Sequence, residues 1–185
     1  MITRIKKIVI VGPESTGKST LSENLANHFK TEWVREYARE YLEKNGTDYT
    51  FENLYEIAQG QLAGEDAGLK HLQENCIHNT QNNIPLIIDT DMYVIKVWSE
   101  FVFNKCDNRV LSEIATRKYD GYILCNTDVP WVKDNMREYP DLVTREKLFH
   151  YYKEELSEQK TPWTTITGNY EVRTQQAIDF VASLL

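Results

Sequence analysis

The sequence predicts an α/β fold in which a parallel β-sheet carries helices on both faces. Short apolar, β-branched runs alternate with stretches of helical periodicity, and a glycine-rich loop joins the first run to the first helix. Such alternation favours parallel strands, because each helix carries the chain back along a face of the sheet. The length of 185 residues fits one domain, predicted over residues 1–185.

The first strand is predicted at residues 5–11, which run into the glycine loop without polar alternation. This pattern is typical of a strand buried on both faces, and it favours the centre of the sheet. Leu21, Leu25 and Phe29 then recur at helical spacing, so residues 18–30 are predicted to form the first helix. Later strands are predicted at residues 31–34, 86–88, 122–125 and 163–166. Later helices are predicted at residues 36–44, 51–79, 92–104, 108–118, 144–159 and 170–185.

Glycine, proline and asparagine mark several boundaries. Asn45 and Gly46 are predicted to end the second helix, because this pair is a typical C-terminal stop. The third helical stretch contains Gly64 and Gly68, and a break is expected near one of them since glycine disfavours helix. Pro85 precedes the strand at residues 86–88 and is predicted to lie outside it.

The composition predicts a soluble, cytoplasmic protein that acts on a small molecule. A net charge of −7 argues against nucleic acid as a partner, because its phosphates require a concentrated Lys/Arg surface. No apolar run approaches the roughly 18 residues of a membrane span, so no membrane partner is expected. Cys76, Cys106 and Cys125 form no C-x-x-C pair, so neither a disulfide framework nor a zinc site is predicted. The composition leaves the oligomeric state open.

The loop after the first strand matches the phosphate-loop pattern G-x-x-x-x-G-K-[ST] and leads into a predicted helix. Its glycines permit a nest of inward-pointing backbone N–H groups, and the helix N-terminus adds positive potential. Lys18 is predicted to reach the β- and γ-phosphates of ATP, and Ser19 to bind Mg²⁺ through its hydroxyl. The predicted ATP-binding residues here are Gly12, Glu14, Ser15, Thr16, Gly17, Lys18, Ser19 and Thr20.

Three carboxylates are predicted at the carboxyl ends of strands, where parallel sheets bind their ligands. Asp89 follows the strand at residues 86–88 and is a candidate Mg²⁺ ligand, with a solvated turn as the alternative. Asp91 is a candidate general base, but it equally fits the N-cap of the following helix. Glu36 follows the second strand and is a candidate general base or ribose-hydroxyl ligand.

Basic residues also follow two of the strands. Arg35 and Arg39 lie where an acceptor would meet the γ-phosphate, although on a helix they would also form a solvated charged face. Residues 126–145 are predicted to form a lid that closes over ATP. Within it, Arg137 either stabilises charge on the transferred phosphoryl group or forms a surface ion pair. The catalytic candidates are therefore Lys18, Glu36, Asp89, Asp91 and Arg137.

Five segments, taken in order, resemble one family over nearly the whole chain. They read VGPESTGKSTL, REYAREYLE, IIDTD, CNTDVPWVKDNMR and TGNYEVRTQQA. Together they resemble the nicotinamide riboside kinase domain of the bifunctional bacterial regulators of NAD biosynthesis. Many families share the phosphate loop, but its combination with E-Y-x-R-E, D-T-D and D-x-x-W-V-x-D is far more specific. The resemblance implies a nucleoside-kinase-like P-loop fold and transfer of the ATP γ-phosphate to the 5′-hydroxyl of nicotinamide riboside.

The resemblance also implies roles for single residues. Trp131 and Asp134 match the lid, whereas the stretch Thr167, Gly168 and Asn169 matches a loop near adenine in similar kinases. An aromatic residue that stacks on nicotinamide is implied directly before E-Y-x-R-E, where this sequence has Arg35, with Trp33 nearby. The predicted acceptor contacts are Trp33, Arg35, Glu36, Tyr37, Arg39, Asp91, Trp131 and Asp134.

Two other functions fit the same residues. A kinase for another nucleoside or a nucleoside monophosphate would direct Arg35 and Arg39 at the acceptor. A non-catalytic regulatory NTP-binding module would share the phosphate loop, and turnover of a free acceptor would exclude it. Charge favours nicotinamide riboside, because an acidic site would attract its cationic ring.

Overall fold

The computed structural model describes residues 4–75 and 83–185, which form a five-stranded parallel sheet with helices on both faces. The strand order is β2-β3-β1-β4-β5, so the first strand lies at the centre as predicted. The strands are β1 (Arg4–Val11), β2 (Trp33–Val34), β3 (Asn83–Asp89), β4 (Gly121–Cys125) and β5 (Trp163–Ile166). The helices are α1 (Lys18–Phe29), α2 (Tyr37–Asn45), α3 (Phe51–Asn75), α4 (Met92–Phe103), α5 (Asn108–Thr116), α6 (Leu142–Glu158) and α7 (Tyr170–Leu184).

The two faces of the sheet follow from the alternation of side chains along each strand. Val9 and Val11 of β1 point to the face that α4 and α6 cover, where Leu148 of α6 is buried. Ile8 and Ile10 point to the opposite face, which packs on α1 and α7. Both faces are apolar, so the strands lack a polar side, which is the reason for the unbroken apolar run in the sequence.

The third helix is continuous, and the predicted break near Gly64 or Gly68 is wrong. A Cβ on Gly68 would lie 3.0 Å from the side chain of Val34, and a Cβ on Gly60 would lie 2.0 Å from the Tyr37 ring. The glycines therefore allow β2 and α2 to approach α3 closely, and this packing offsets their poor helix propensity. The predicted continuation of this helix to residue 79, together with Cys76, lies outside the described residues.

The second and third strands differ in length from the prediction. β3 begins at Asn83 and includes Pro85, which lies opposite Lys6 of β1. β2 pairs only with Ile87 and Ile88, so Pro85 occupies the part of β3 that has no β2 partner. A proline is tolerated there because its missing N–H costs no ladder bond to β2.

The carboxyl ends of β1, β3, β4 and β5 lead into loops along one rim of the sheet, as their parallel order requires. The segment after β4 is irregular until α6, whose first turn is capped by Asp141 through the Thr144 N–H at 2.7 Å. Across residues 4–75 and 83–185, every helix is too short or too polar to cross a membrane.

Candidate active site

The phosphate loop is held in a conformation that depends on its glycines. Gly12 has φ 139°, and a Cβ there would lie 2.8 Å from the carbonyl oxygen of Cys125 at the end of β4. Gly17 has φ 81° and caps the N-terminus of α1. The Thr16 hydroxyl donates to the Pro13 carbonyl at 2.7 Å, so this side chain closes the loop. The first backbone N–H groups of α1 remain for an anion.

Lys18 and Asp89 provide opposite charges beside this loop. The Lys18 ammonium donates to the Pro13 carbonyl at 3.0 Å, folded across the loop. Asp89 is only 1% exposed, and neither of its carboxylate oxygens accepts a hydrogen bond from the described residues. Burial and the nearby Glu36 carboxylate raise the pKa of Asp89 well above its usual range, and the positive charge of Lys18 offsets only part of this effect. A buried carboxylate without partners is a costly arrangement in the absence of a cation.

The donor set around Asp89 fits Mg²⁺. Mg²⁺ is commonly bound through one or two carboxylates, with water and substrate phosphates completing the coordination. Asp89 would supply a carboxylate oxygen to the ion, and the exposed Ser19 would supply its hydroxyl oxygen. Within the described part of the chain, no group of three or more His, Cys, Asp or Glu side chains is placed to hold a metal, so ligand oxygens would be needed.

Asp91 does not join Asp89 at this site, and its predicted catalytic and acceptor-binding roles are corrected. It caps α4 by accepting the Tyr93 N–H at 3.0 Å, and its other oxygen accepts the Tyr122 hydroxyl at 2.9 Å. Thr90, between the two aspartates, has φ 68°, an unusual conformation for a β-branched residue that turns the chain between them. Burial raises the pKa of Asp91 to about 6, and the hydrogen bond from Tyr122 offsets part of this rise. The N-cap alternative is therefore the one that the structure supports.

A cavity of about 200 Å³ opens from the phosphate loop. Besides loop residues, it is lined by Lys18, Glu36, Arg39 and Arg137, all of them predicted site residues. Four rings also line it and are called here the aromatic wall: Trp98 and Phe101 of α4, Tyr139 of the lid segment and Tyr152 of α6.

The sequence analysis did not predict that these four aromatic residues line a site. Trp98 and Phe101 have a spacing of three along α4, which indicates one helix face but does not distinguish a core from a cavity. The ring of Tyr139 stands edge-to-face on Phe101 at 5.3 Å, and the indole N–H of Trp98 donates to the Tyr49 hydroxyl at 2.7 Å. These contacts join α4 to distant segments, so their only signal in the sequence was the abundance of aromatic residues.

Three predicted acceptor contacts do not line this cavity. Arg35 is exposed, and its guanidinium lies over the Trp33 ring at 5.1 Å. Trp33 itself packs on the cluster beneath α1 and α7. The Tyr37 ring lies against Gly60 of α3, while its backbone N–H donates to Gln61 at 2.9 Å. These side chains line a second groove between α2 and α3, which shares Glu36 with the cavity.

The lid segment, residues 126–145, rests on the phosphate loop and on α2. Asp134 forms an ion pair with Arg39 at 3.0 Å, and Trp131 points its indole N–H at Glu14. Neither Asp134 nor Trp131 lines the cavity, and both hold the segment in place through these contacts, so their role as acceptor contacts stays a prediction. The Arg137 guanidinium donates to the Val132 carbonyl at 2.5 Å and remains at the cavity edge.

The loop after β5 lies beside the phosphate loop. The Gly168 N–H donates to Asp128 at 2.6 Å, and Asn169 caps α7 through the Val172 N–H at 2.9 Å. Thr167, at the end of β5, donates its N–H to the side chain of Gln176 at 3.0 Å.

Arg173, which the sequence analysis did not single out, joins the loops after β1, β4 and β5. Its guanidinium is 3% exposed and donates to three carbonyls: Gly168 at 2.8 Å, Thr16 at 2.9 Å and Asn126 at 2.8 Å. It also pairs with the Asp128 carboxylate. This buried cation holds the predicted adenine loop and the phosphate loop in a fixed position relative to each other. No local sequence pattern predicts this role.

Comparison with known proteins gives a consistent family. Residues 7–173 match the model of the AAA domain family. The trifunctional NAD biosynthesis/regulator protein NadR of Escherichia coli (strain K12) is 27% identical over 186 residues, covering 98% of this chain and 43% of that protein. Its counterpart from Salmonella typhimurium (strain LT2) is 26% identical, with the same coverage. This chain therefore spans less than half the length of the curated relatives it matches.

Solved structures extend the comparison. A NadR protein in complex with NR superposes with a TM-score of 0.76 at 22% identity, covering 97% of this chain and 49% of the other. A NadR protein with NAD and AMP-PNP gives 0.73 at 21% identity, with the same coverage. Thymidylate kinase from Ehrlichia chaffeensis gives 0.67 at 11% identity and covers 98% of both chains. These matches confirm the predicted kinase-like P-loop fold and the resemblance to bacterial NAD regulators. The names of the matching regulators describe them as trifunctional, whereas the sequence analysis expected bifunctional proteins.

Proposed function

Since this chain belongs to the AAA domain family, we propose that it is an ATP- and Mg²⁺-dependent kinase that converts nicotinamide riboside to nicotinamide mononucleotide. One observation carries the proposal: the phosphate loop, Glu36 and the aromatic wall line a single cavity. The solved NadR structures with NR and with AMP-PNP belong to proteins of the same fold, which supports the pair of ligands.

At the nucleotide end, the phosphate loop and the N-terminus of α1 would bind the β- and γ-phosphates. Lys18 would exchange its bond to the Pro13 carbonyl for a phosphate oxygen, since an anion is the stronger acceptor. Asp89 and Ser19 would hold Mg²⁺, which neutralises phosphate charge when it is bound. Arg137, at the cavity edge, would stabilise the charge that develops during transfer.

At the acceptor end, the aromatic wall suits a flat cationic ring. A pyridinium ring is attracted to aromatic faces, and the attraction grows when water is excluded. Glu36 lines the same cavity and would add negative charge at the point where the ribose meets the γ-phosphate. It would accept a hydrogen bond from the 5′-hydroxyl and, on transfer, its proton.

The arrangement of arginines disfavours a phosphorylated acceptor. Arg39 is already paired with Asp134, and Arg35 is turned outward over Trp33. Neither guanidinium is free to bind an acceptor phosphate, whereas a nucleoside monophosphate would need such a partner. A non-catalytic NTP-binding module binds no acceptor, so it would not require an aromatic wall in the same cavity as the phosphate loop.

The test is ADP release at fixed Mg-ATP, comparing kcat/KM for nicotinamide riboside, uridine, cytidine and thymidine monophosphate. Nicotinamide riboside is expected to be preferred by at least about tenfold, or ~1.4 kcal/mol in the transition state. A tenfold preference for any other acceptor would reject this substrate and leave the kinase assignment standing. Absence of turnover with all four would favour a regulatory NTP-binding module, and Lys18→Ala provides the background rate.

We further propose that residues 1–185 act as one kinase domain whose lid is the segment 126–145. The contacts of this segment with the phosphate loop and α2 support the assignment. A cytoplasmic location is proposed as well, because Cys106 and Cys125 are free thiols and ATP-dependent salvage uses cytoplasmic ATP.

A further inference from the structure

Glu14 lies within the phosphate loop, yet its side chain turns away from the loop and towards the lid segment. One carboxylate oxygen accepts the Tyr139 N–H at 2.7 Å and the indole N–H of Trp131 at 3.4 Å. The other oxygen accepts the Glu138 N–H at 2.9 Å. The neighbouring Ser15 hydroxyl accepts the Val132 N–H at 2.9 Å. Both ends of the stretch 131–139 are therefore attached to two successive residues of the loop.

These contacts lead from the loop to the aromatic wall by two routes. The first is direct, because the residue that donates its N–H to Glu14 also carries the Tyr139 ring, which packs on Phe101. In the second route, Glu138 accepts the Tyr49 hydroxyl at 3.1 Å, and that same hydroxyl accepts the Trp98 indole N–H at 2.7 Å. Two of the four rings of the wall thus depend on where Glu14 holds the lid segment.

A carboxylate in a loop that binds a triphosphate has an electrostatic cost, since like charges repel. Two backbone N–H groups and an indole N–H offset this cost by donating charge-assisted hydrogen bonds. All three hydrogen bonds of the Glu14 side chain go to the lid segment, so any contact of this residue with ATP would be made by its backbone.

We propose that Glu14 is a positioning residue that couples the phosphate loop to the acceptor pocket by holding Tyr139 and Trp98 in the aromatic wall. The loop proposed to bind the nucleotide then also sets the positions of two rings that line the same cavity. Its loss should weaken binding of a flat aromatic acceptor more than binding of Mg-ATP.

The test compares Glu14→Ala and Glu14→Gln with Glu23→Ala, which removes a carboxylate from the exposed face of α1. The first measurement is the rate of limited trypsin cleavage after Lys133 and Arg137. Glu14→Ala should be cleaved about tenfold faster than the wild type, in line with the loss of one or more charge-assisted bonds. Glu14→Gln should be intermediate, because its amide keeps one acceptor oxygen but turns an NH₂ towards the Glu138 N–H. Glu23→Ala should match the wild type.

The second measurement is the steady-state KM for nicotinamide riboside beside the equilibrium Kd for Mg-ATP. For Glu14→Ala the KM should rise about tenfold or more, while the Kd changes less than about threefold. This result depends on the proposed kinase activity, whereas the trypsin result does not. Unchanged cleavage would overturn the inference, and so would an equal loss of acceptor and nucleotide affinity. If the alanine variant does not fold, the glutamine variant is judged by the same two comparisons.

Discussion

Replacing Asp89 with asparagine should stabilise the ligand-free protein while abolishing its activity. The carboxylate is 1% exposed, and neither of its oxygens has a hydrogen-bond partner among the described residues. An unsatisfied buried polar group costs about 1–3 kcal/mol, and more when it is charged. Part of that cost is offset by the nearby Lys18, whose attraction the substitution also removes. A net gain of about 1–2 kcal/mol is expected, or roughly 2–8 °C in Tm for a chain of this size.

The gain should depend on pH, with a sign that follows from the raised pKa of Asp89. An unfolded aspartate titrates near pH 3.9, so at about pH 4 this effect has only begun and most of the gain is absent. Between that pH and the raised pKa of folded Asp89, the unfolded wild type loses a proton that the folded wild type keeps, so the gain grows with pH and is complete above the raised pKa. The full stabilisation is therefore expected near pH 8 in metal-free buffer.

The assay is thermal unfolding without metal at pH 4 and pH 8, repeated at pH 8 with saturating Mg-ATP. Ligand at about 100 times Kd stabilises the wild type by about 2.7 kcal/mol, so the order of the two proteins should reverse. The exposed Asp179→Asn is the control and should change stability by less than about 0.5 kcal/mol. A lower Tm for Asp89→Asn than for the wild type at pH 8 without metal would refute the reasoning.

Two further substitutions test the loop and the lid. Lys18→Ala should lower kcat by at least about a hundredfold with an unchanged circular dichroism spectrum, since this half-exposed side chain adds charge and not core packing; activity within threefold of the wild type would contradict its role. Arg137→Ala should lower kcat more than it weakens Mg-ATP binding, because its charge acts mainly on the transferring phosphoryl group. A loss of ATP affinity at constant kcat would instead make Arg137 a ground-state contact.

Local patterns in the sequence were sufficient to predict the fold and the place of the phosphate loop within it. The apolar run before Gly12 predicted the central strand, and the loop pattern predicted the place of Lys18 and Ser19. Both succeed because a buried parallel strand must be apolar on both faces, and because the loop binds phosphate with its own backbone. Asp89 at the end of β3 follows from the same rule, since strand ends converge on one rim.

Such patterns could not predict the directions in which polar side chains point. Arg35 and Arg39 are four residues apart, yet one stacks on Trp33 and the other lies at the cavity. Asp91 was equally consistent with chemistry and with an N-cap, and the choice depended on Tyr122, which is 31 residues away in sequence. A side chain of this kind takes its role from whichever partner the fold brings within 3 Å.

A parallel α/β sheet with a phosphate loop after its central strand follows from the sequence alone, because period and motif are local properties of the chain. The other residues of the site could be identified only from the folded structure. The aromatic wall combines α4, α6 and the lid segment, and Glu14 reaches residue 139 across 125 positions of sequence. Contacts between such distant segments depend on helix packing and on the course of an irregular loop, and neither leaves a periodic trace in the sequence.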